Sequence, residues 1–337
     1  MRVEGDIILP FSCHAVEFSP FDGEQVAVAT AQYFGLVGNG RLHLVDCFYS
    51  RISVTGSDLP RRLSPQFRSF DTQAGLYDCA WSECHPRQLV TAGADGAVKL
   101  WDLATEDAFP VADWREHAQD VSGVDWNLVS KDTFVSGSLD GTVRLWHPGT
   151  PASTRTFHDH GQHPVYGAVW CPFSASQLLS FSGDGTARVL DVNAPAAAVI
   201  LEGHAGHEVL AGDWDKYKHP VVATGCADGA VRTWDLRRPS EPLAVMLEHR
   251  YAVKRVRCST HSTSAGLVAS ASYDMSVILW NSYPSPRGNG GLLETQGSGV
   301  ELCVGHTEFV AGLAFSLTDP RLLATCALDR RLCFWAP

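Results

Sequence analysis

The sequence is short of positive charge. Lysine and arginine number 26 against 37 aspartates and glutamates, a formal net charge of −11 over 337 residues, the wrong sign for a surface that must gather phosphates. Nucleic acid is therefore not the expected partner. Long apolar runs are missing too: the longest are strand-sized pieces such as Val26 to Ala31, well below the roughly 18 residues that cross a bilayer. No Asn-x-Ser/Thr acceptor and no Cys-x-x-Cys spacing occurs. The ten cysteines are scattered, several inside apolar strand-like stretches (Cys79, Cys226, Cys326, Cys333), and read as reduced, buried small hydrophobes. The opening MRVEGDIILPF offers only Ile7, Ile8 and Leu9 before Pro10, too little for a secretory core, and the last residues form no retention or import tail. The expected compartment is the cytosol. With 45% hydrophobic and 19% charged residues, the chain is no disordered polymer, and its length allows two domains or one large all-β domain.

What is present is a repeat. One short string recurs as Asp95-GAVKLW-Asp102, Asp140-GTVRLW-His147, Asp184-GTARVL-Asp191, Asp228-GAVRTW-Asp235, Asp274-MSVILW-Asn281 and Asp329-RRLCFW-Ala336, its first Asp stepping by 45, 44, 44, 46 and 55 residues. Asn39-GRLHLV-Asp46 is a degenerate seventh copy. A hydroxyl residue stands four positions before each of the six aspartates: Thr91, Ser136, Ser180, Thr224, Ser270 and Thr325. A histidine precedes five of the Trp or Trp-like positions: His117, His160, His204, His249 and His306. Runs such as QLVTAG and VRLW are β-branched or alternating, Asp-Gly supplies tight turns between them, and no long stretch shows a helical period.

The spacing and these residues resemble the WD40 repeat family over nearly the whole chain. The resemblance implies an all-β fold, a seven-bladed propeller with one four-stranded blade per repeat, and residues 1–337 as a single domain. It also implies that each His, Ser/Thr, Asp and Trp forms one hydrogen-bonded chain that satisfies a buried carboxylate; His204, Thr224, Asp228 and Trp234 are expected to form one such chain. Blade four has Leu190 in the Trp position, and blade one lacks Trp and His, with Gly35 at the hydroxyl position. Both are expected to be more loosely networked. The final copy stops two residues after Trp335, whereas Arg2 to Leu9 precedes the first copy without a partner. That segment is expected to complete the last blade and close the ring. Phe48 to Phe67, with Arg51, Arg61 and Arg62 inside it and Arg68 just after it, and Tyr283 to Gly299 read as loop insertions.

Catalytic patterns are weak. Gly35 to Gly40 holds glycines but lies between strands, and neither a phosphate-binding loop nor a Gly-x-Ser-x-Gly elbow occurs. The histidines of HDHGQH, His158 to His163, lie close enough for a metal, yet His160 falls where the repeat needs its structural histidine. No enzyme activity, cofactor or metal is expected.

Stretches outside the repeat pattern carry a narrower resemblance. Ala27-VATAQYFGLVGNG, Phe70-DTQAGLYDCAWSE, Glu116-HAQDVSGVDW, Gly212-DWDKYK, Ala252-VKRVR and Ala271-SYDMSVILWN are similar to the receptors for type 2 peroxisomal targeting signals. That resemblance implies a cytosolic receptor, without enzymatic activity, that binds an N-terminal cargo peptide (R/K)-(L/V/I)-x5-(H/Q)-(L/A). With a co-receptor it delivers cargo to the peroxisomal docking machinery, cycling between cytoplasm and peroxisome. In such a peptide the motif residues share one face of an amphipathic helix, so the receptor needs carboxylates and an apolar trough. Asp120 and Glu208, with Asp78, are expected to meet the basic residue. Tyr77, Leu139, Leu210, Ala227 and Tyr273 are expected to form the trough. Lys254 and Arg255 are expected to face the co-receptor or cap the cargo helix. Ala74 departs from the acidic residue that the family often carries in the DTQ-x-G turn, which weakens an acidic role for that turn. The chain carries no type 2 signal of its own. A propeller adaptor that reads another peptide remains the alternative.

Overall fold

The computed structural model describes residues 2–46, 66–105, 108–282 and 299–336. They form seven four-stranded antiparallel sheets. Blades one to seven take as their innermost strands Ser12–Phe18, Leu76–Trp81, Val121–Trp126, Val165–Trp170, Val209–Trp214, Val253–Cys258 and Val310–Phe315. The described residues hold no α-helix, only two short 3-10 turns. Blade-on-blade packing explains the sequence pattern. A strand with another blade against each face is buried on both sides, so Val221–Cys226 is apolar or small throughout instead of alternating, and Val209–Trp214 is too except for the buried Asp213.

The core lies between blades. Trp114, Trp126, Phe134 and Trp146 pack against Val90, Val98 and Leu100 at the junction of blades two and three. Phe18 of blade one meets Phe334 of blade seven edge-on, 6.5 Å between centroids. Carboxylates on the inner strands bind neighbouring blades by accepting backbone N–H groups of the next inner strand: Glu17 from Trp81 at 3.0 Å, Asp78 from Val124 at 3.3 Å, and Asp213 from Cys258 at 2.8 Å. These bonds satisfy donors on strand edges that have no further strand beside them.

The ring closes as the sequence predicts. Arg2–Ile8 pairs antiparallel with Arg331–Ala336, and the Leu9 N–H donates to the Arg330 carbonyl at 2.8 Å. Ile7 and Leu9 are buried in the cluster that joins blades one and seven. The fourth strand of the last blade thus comes from the start of the chain and covers the edge of Arg331–Ala336.

The predicted polar chains form in full in three blades. His117 bonds Asp140 at 2.9 Å and Ser136 at 2.7 Å, and the Trp146 indole donates to Ser136 at 2.8 Å; His249 and His306 repeat the pattern with Asp274 and Asp329. Blade five departs from the expectation. His204 reaches Thr224 at 3.0 Å and Trp234 donates to the same hydroxyl, but Asp228 is taken by Arg232 at 2.6 Å, leaving His204 Nδ1 buried without a partner among the described residues. Arg232, two residues before the Trp position, holds that carboxylate in place of the imidazole, whereas in blade four Arg188 at the same position shares Asp184 with His160. Blade four keeps His160 on Asp184 and Ser180, both at 2.8 Å, and lacks only the indole, replaced by buried Leu190.

Blade one corrects the assignment of Gly35. In the other blades the hydroxyl residue pairs with the residue two before the Trp position, as Thr91 does with Lys99. In blade one the corresponding pair is Val28 with His43, two before Val45. Counting back from Asn39 lands instead in a longer connection. The turns after the second strand show why Asp-Gly recurs: Gly96, Gly141, Gly185 and Gly229 have φ between 74° and 85°, and in blades six and seven Met275 and Arg330 are held in the same left-handed region, at a strain of about 1 kcal/mol each. The insertions read at Phe48 to Phe67 and Tyr283 to Gly299 lie almost wholly outside the described residues.

Candidate functional site: the mouth of the ring

Every inner strand carries a one-residue register shift near its start. The shifts fall at His14, Tyr77, Ser122, Tyr166, Leu210, Lys254 and Ala311, one in each blade. A bulged residue is released from the ladder and its side chain is re-aimed. All seven line one cavity of about 260 Å³ at the centre of the ring, with Phe34, Asp120, Leu139, Arg255, Tyr273 and Leu328. Each bulged residue stands four positions before the residue that ends its strand, as Tyr77 stands before Trp81 and His14 before Phe18. That spacing is visible in the sequence, and it identifies His14 and Ala311, which the motif reading missed.

A second tier is set by turn geometry. The residue before each turn aspartate donates its N–H to the residue that precedes the inner strand: Leu139 to Asp120 at 3.0 Å, Ala227 to Glu208 at 2.9 Å, Tyr273 to Ala252 at 3.0 Å, and Leu328 to Phe309 at 3.0 Å. These bonds hold Leu139 beside half-buried Asp120 and Ala227 beside exposed Glu208. Tyr273 stacks on Phe309 with 4.6 Å between centroids, an apolar wall continued by Ala311 and Leu328.

The mouth is electrically divided. On blades two to five stand Asp120 and Glu208, each against a tyrosine. Burial and then the Asp120 carboxylate push the Tyr77 hydroxyl up to about 12; burial and then Glu208 do the same to Tyr166. The Tyr77 hydroxyl also donates to the Gly35 carbonyl at 2.7 Å. On the other side stand Lys254, Arg255 and His14. Burial and then the Arg255 charge lower the Lys254 ammonium to about 8, and that ammonium lies 5.9 Å from the centre of the Tyr166 ring. Burial, then Lys254 and Arg255, lower His14 to about 4, and its Nε2 finds no hydrogen-bond partner among the described residues.

The residues singled out from sequence therefore fall into three groups. Tyr77, Asp120, Leu139, Leu210 and Tyr273 line the mouth, joined by Lys254 and Arg255. Glu208 and Ala227 are not among its lining residues. Asp78 lies in the wall below, buried and bonded to Arg255 at 3.0 Å, so its carboxylate is already engaged. Phe34, unpredicted, reaches the mouth from a connection in which Tyr33, Phe34 and Gly35 all have positive φ. Among the described residues no group of three or more His, Cys, Asp or Glu side chains is placed to hold a metal, and His160 of HDHGQH is engaged by its own blade.

Comparison with known proteins agrees with the fold. The WD domain, G-beta repeat model matches residues 65–102, 109–147, 240–281 and 299–336. The chain is 49% identical over 308 residues to the peroxisomal targeting signal 2 receptor of Dictyostelium discoideum, covering 91% of this chain and 89% of that one. The receptor of the same name from Mus musculus is 46% identical over 326 residues, 96% of this chain and 93% of that one. That of Homo sapiens is 48% identical over 301 residues, 89% and 84%. These relatives are named as receptors rather than enzymes. A seven-bladed WD40 ring with such identity along most of its length places the chain in the family of peroxisomal targeting signal 2 receptors.

Proposed function

We propose that the chain binds type 2 peroxisomal targeting signals of the pattern (R/K)-(L/V/I)-x5-(H/Q)-(L/A) at the mouth of the ring, as one domain spanning residues 1–337. With a co-receptor it would deliver cargo from the cytoplasm to the docking machinery of the peroxisome and cycle back. The observation that carries this reading is the divided mouth: a carboxylate arc on one side and, on the other, an apolar wall set between Lys254 and Arg255 of blade six and His14 of blade one suit an amphipathic helix with a basic N-terminal residue. Asp120 takes the basic residue, with Glu208 beside it, while Tyr77, Leu139, Leu210, Ala227 and Tyr273 receive the aliphatic side chains. Asp78 serves indirectly, by holding Arg255. The Lys254 ammonium meets the carbonyl end of the cargo helix, where the helix dipole is negative, and Lys254 with Arg255 borders the surface offered to the co-receptor.

The test is binding of a fluorescent peptide carrying R-L-x5-H-L against the same peptide with alanine in place of arginine, with and without a candidate co-receptor. Selective binding that falls about tenfold or more in D120N, while thermal unfolding is unchanged, supports the receptor. Equal binding of both peptides with co-receptor present returns the chain to a generic propeller adaptor.

A further inference from the structure

Phe34 lines two cavities and is the only residue common to both. One is the mouth, of about 260 Å³; the other, of about 320 Å³, lies beside it where blades seven and one meet, between Pro10, Phe11, Ser12, Gln32, Tyr33 and Arg330. The Phe34 side chain is therefore the partition between them. It is held there against the preference of its own backbone. Tyr33 and Phe34 have φ of 46° and 61°, the left-handed region that aromatic residues avoid, and at 69% and 54% exposure neither gains much burial in return. The connection is fixed at both its neck and its tip. At the neck the Gln32 N–H donates to the Asn39 carbonyl at 2.9 Å, and the Asn39 N–H donates to Gln32 Oε1 at 3.0 Å. At the tip the Tyr77 hydroxyl donates to the Gly35 carbonyl at 2.7 Å. Gly35 fits so closely that a Cβ on it would stand 2.8 Å from the Tyr77 ring and 3.0 Å from the His14 ring. Strain kept at the edge of a cavity, with little burial to offset it, marks a side chain placed for the occupant of that cavity.

Resting on the receptor reading of the mouth, we propose that Phe34 is a specificity-determining residue: its ring bounds the apolar part of the mouth and sets how large a side chain the ligand can seat there. In that reading Asp120 takes the first residue of the signal and Lys254 the carbonyl end of its helix, so the helix runs from blade three toward blades six and seven. Its ninth residue lies about 12 Å along the axis from the first and is the aliphatic one that reaches Ala311 and Leu328 of blade seven, with Phe34 of the neighbouring blade closing the seat. The selection is steric. A leucine fits against Ala311 and Leu328, whereas an aromatic ring needs space that lies on the far side of Phe34. Tyr77 and Gly35 act on this seat only through the connection, by fixing where the Phe34 ring stands.

The experiment measures binding of R-L-x5-H-L to the full chain, with and without co-receptor, beside two variants that carry phenylalanine at the ninth or at the second position. The parent is expected to bind each phenylalanine peptide about tenfold less tightly than the leucine peptide. F34A joins the two cavities, so it should bring the ninth-position phenylalanine peptide to within about threefold of leucine and leave the second-position loss in place. G35A moves the partition without altering the ring, because its Cβ forces the connection away from Tyr77, and it should relax the ninth-position discrimination in the same direction. Ratios between peptides on one protein do not depend on its folded fraction, and a merely structural role would weaken all three peptides alike. Undiminished ninth-position discrimination in F34A, or an equal loss for all three peptides, overturns the partition proposal and leaves the receptor reading standing. Failure of the parent to bind the leucine peptide, with or without co-receptor, overturns both.

Discussion

Arg255 of blade six donates to the Asp78 carboxylate of blade two at 3.0 Å, joining residues 177 positions apart across the central channel. Both side chains are largely withdrawn from water, at 14% and 6% exposure. Removing one partner strands the other's charge, so D78N is expected to lower the unfolding free energy by about 3 kcal/mol, while D78N combined with R255M recovers most of that, because the amide oxygen can still accept the Val124 N–H. Urea unfolding of the three proteins decides it; a D78N protein as stable as the parent would show that the pair contributes nothing.

Blade three offers a pH test. Burial by itself would raise the Asp140 carboxyl, but hydrogen bonds from His117 and Thr142 outweigh it and hold the group far below the usual carboxylate range. A carboxylate depressed in the folded state contributes stability that is complete above its unfolded value, roughly 3.9, and is lost as pH falls below it. The parent is therefore expected to exceed D140N by about 2 kcal/mol near neutral pH, with the gap narrowing below about pH 4. A gap that holds constant down to pH 3 would contradict this account of Asp140.

Ring closure is testable by truncation. Leu9 is 2% exposed, and L9A should cost about 3 kcal/mol. Deleting residues 1–9 would bare the edge of Arg331–Ala336, and the expected result is self-association seen by light scattering. A truncated chain that stays monomeric and equally stable would mean that the last blade does not depend on its borrowed strand.

Lys254 should be chemically conspicuous. Lowered to about 8 by burial and the adjacent Arg255 charge, it is expected to acylate with a midpoint near that pH, whereas ordinary lysines follow one near ~10.4. Bound peptide should protect it. Mass spectrometry of the labelled chain supplies the readout, and a Lys254 that titrates with the surface lysines would remove it from the mouth's polar wall.

The blade core was legible because its residues recur. Asp, Ser/Thr, His and Trp at constant spacing satisfy one another inside a single blade, and the paired segments at the two ends of the chain predict their own union. Local competition was not legible: nothing in the spacing of Asp228 says that Arg232 will displace His204 from it. The Gly35 assignment failed for a similar reason, since counting residues through a connection of unusual length loses the register that backbone pairing preserves. At the mouth, Asp120, Leu139 and Tyr273 could be placed from sequence because they flank repeat positions. His14 and Ala311 were missed, although their distance from the end of each inner strand carries the signal. Asp78 and Arg255 were separated in the reading, one toward cargo and one toward a co-receptor, because no local pattern reports a contact between blades two and six.

By itself, then, the sequence determined the number and kind of blades, the closure of the ring and the family resemblance, because each depends on contacts within one repeat or between adjacent ones. Only the tertiary structure decided which side chains share the mouth. Seven bulges release seven side chains toward one axis, and the acidic and basic arcs come from residues scattered from His14 to Arg255. Closing the ring sets which of these stand side by side and which, like Asp78 and Arg255, meet across the channel.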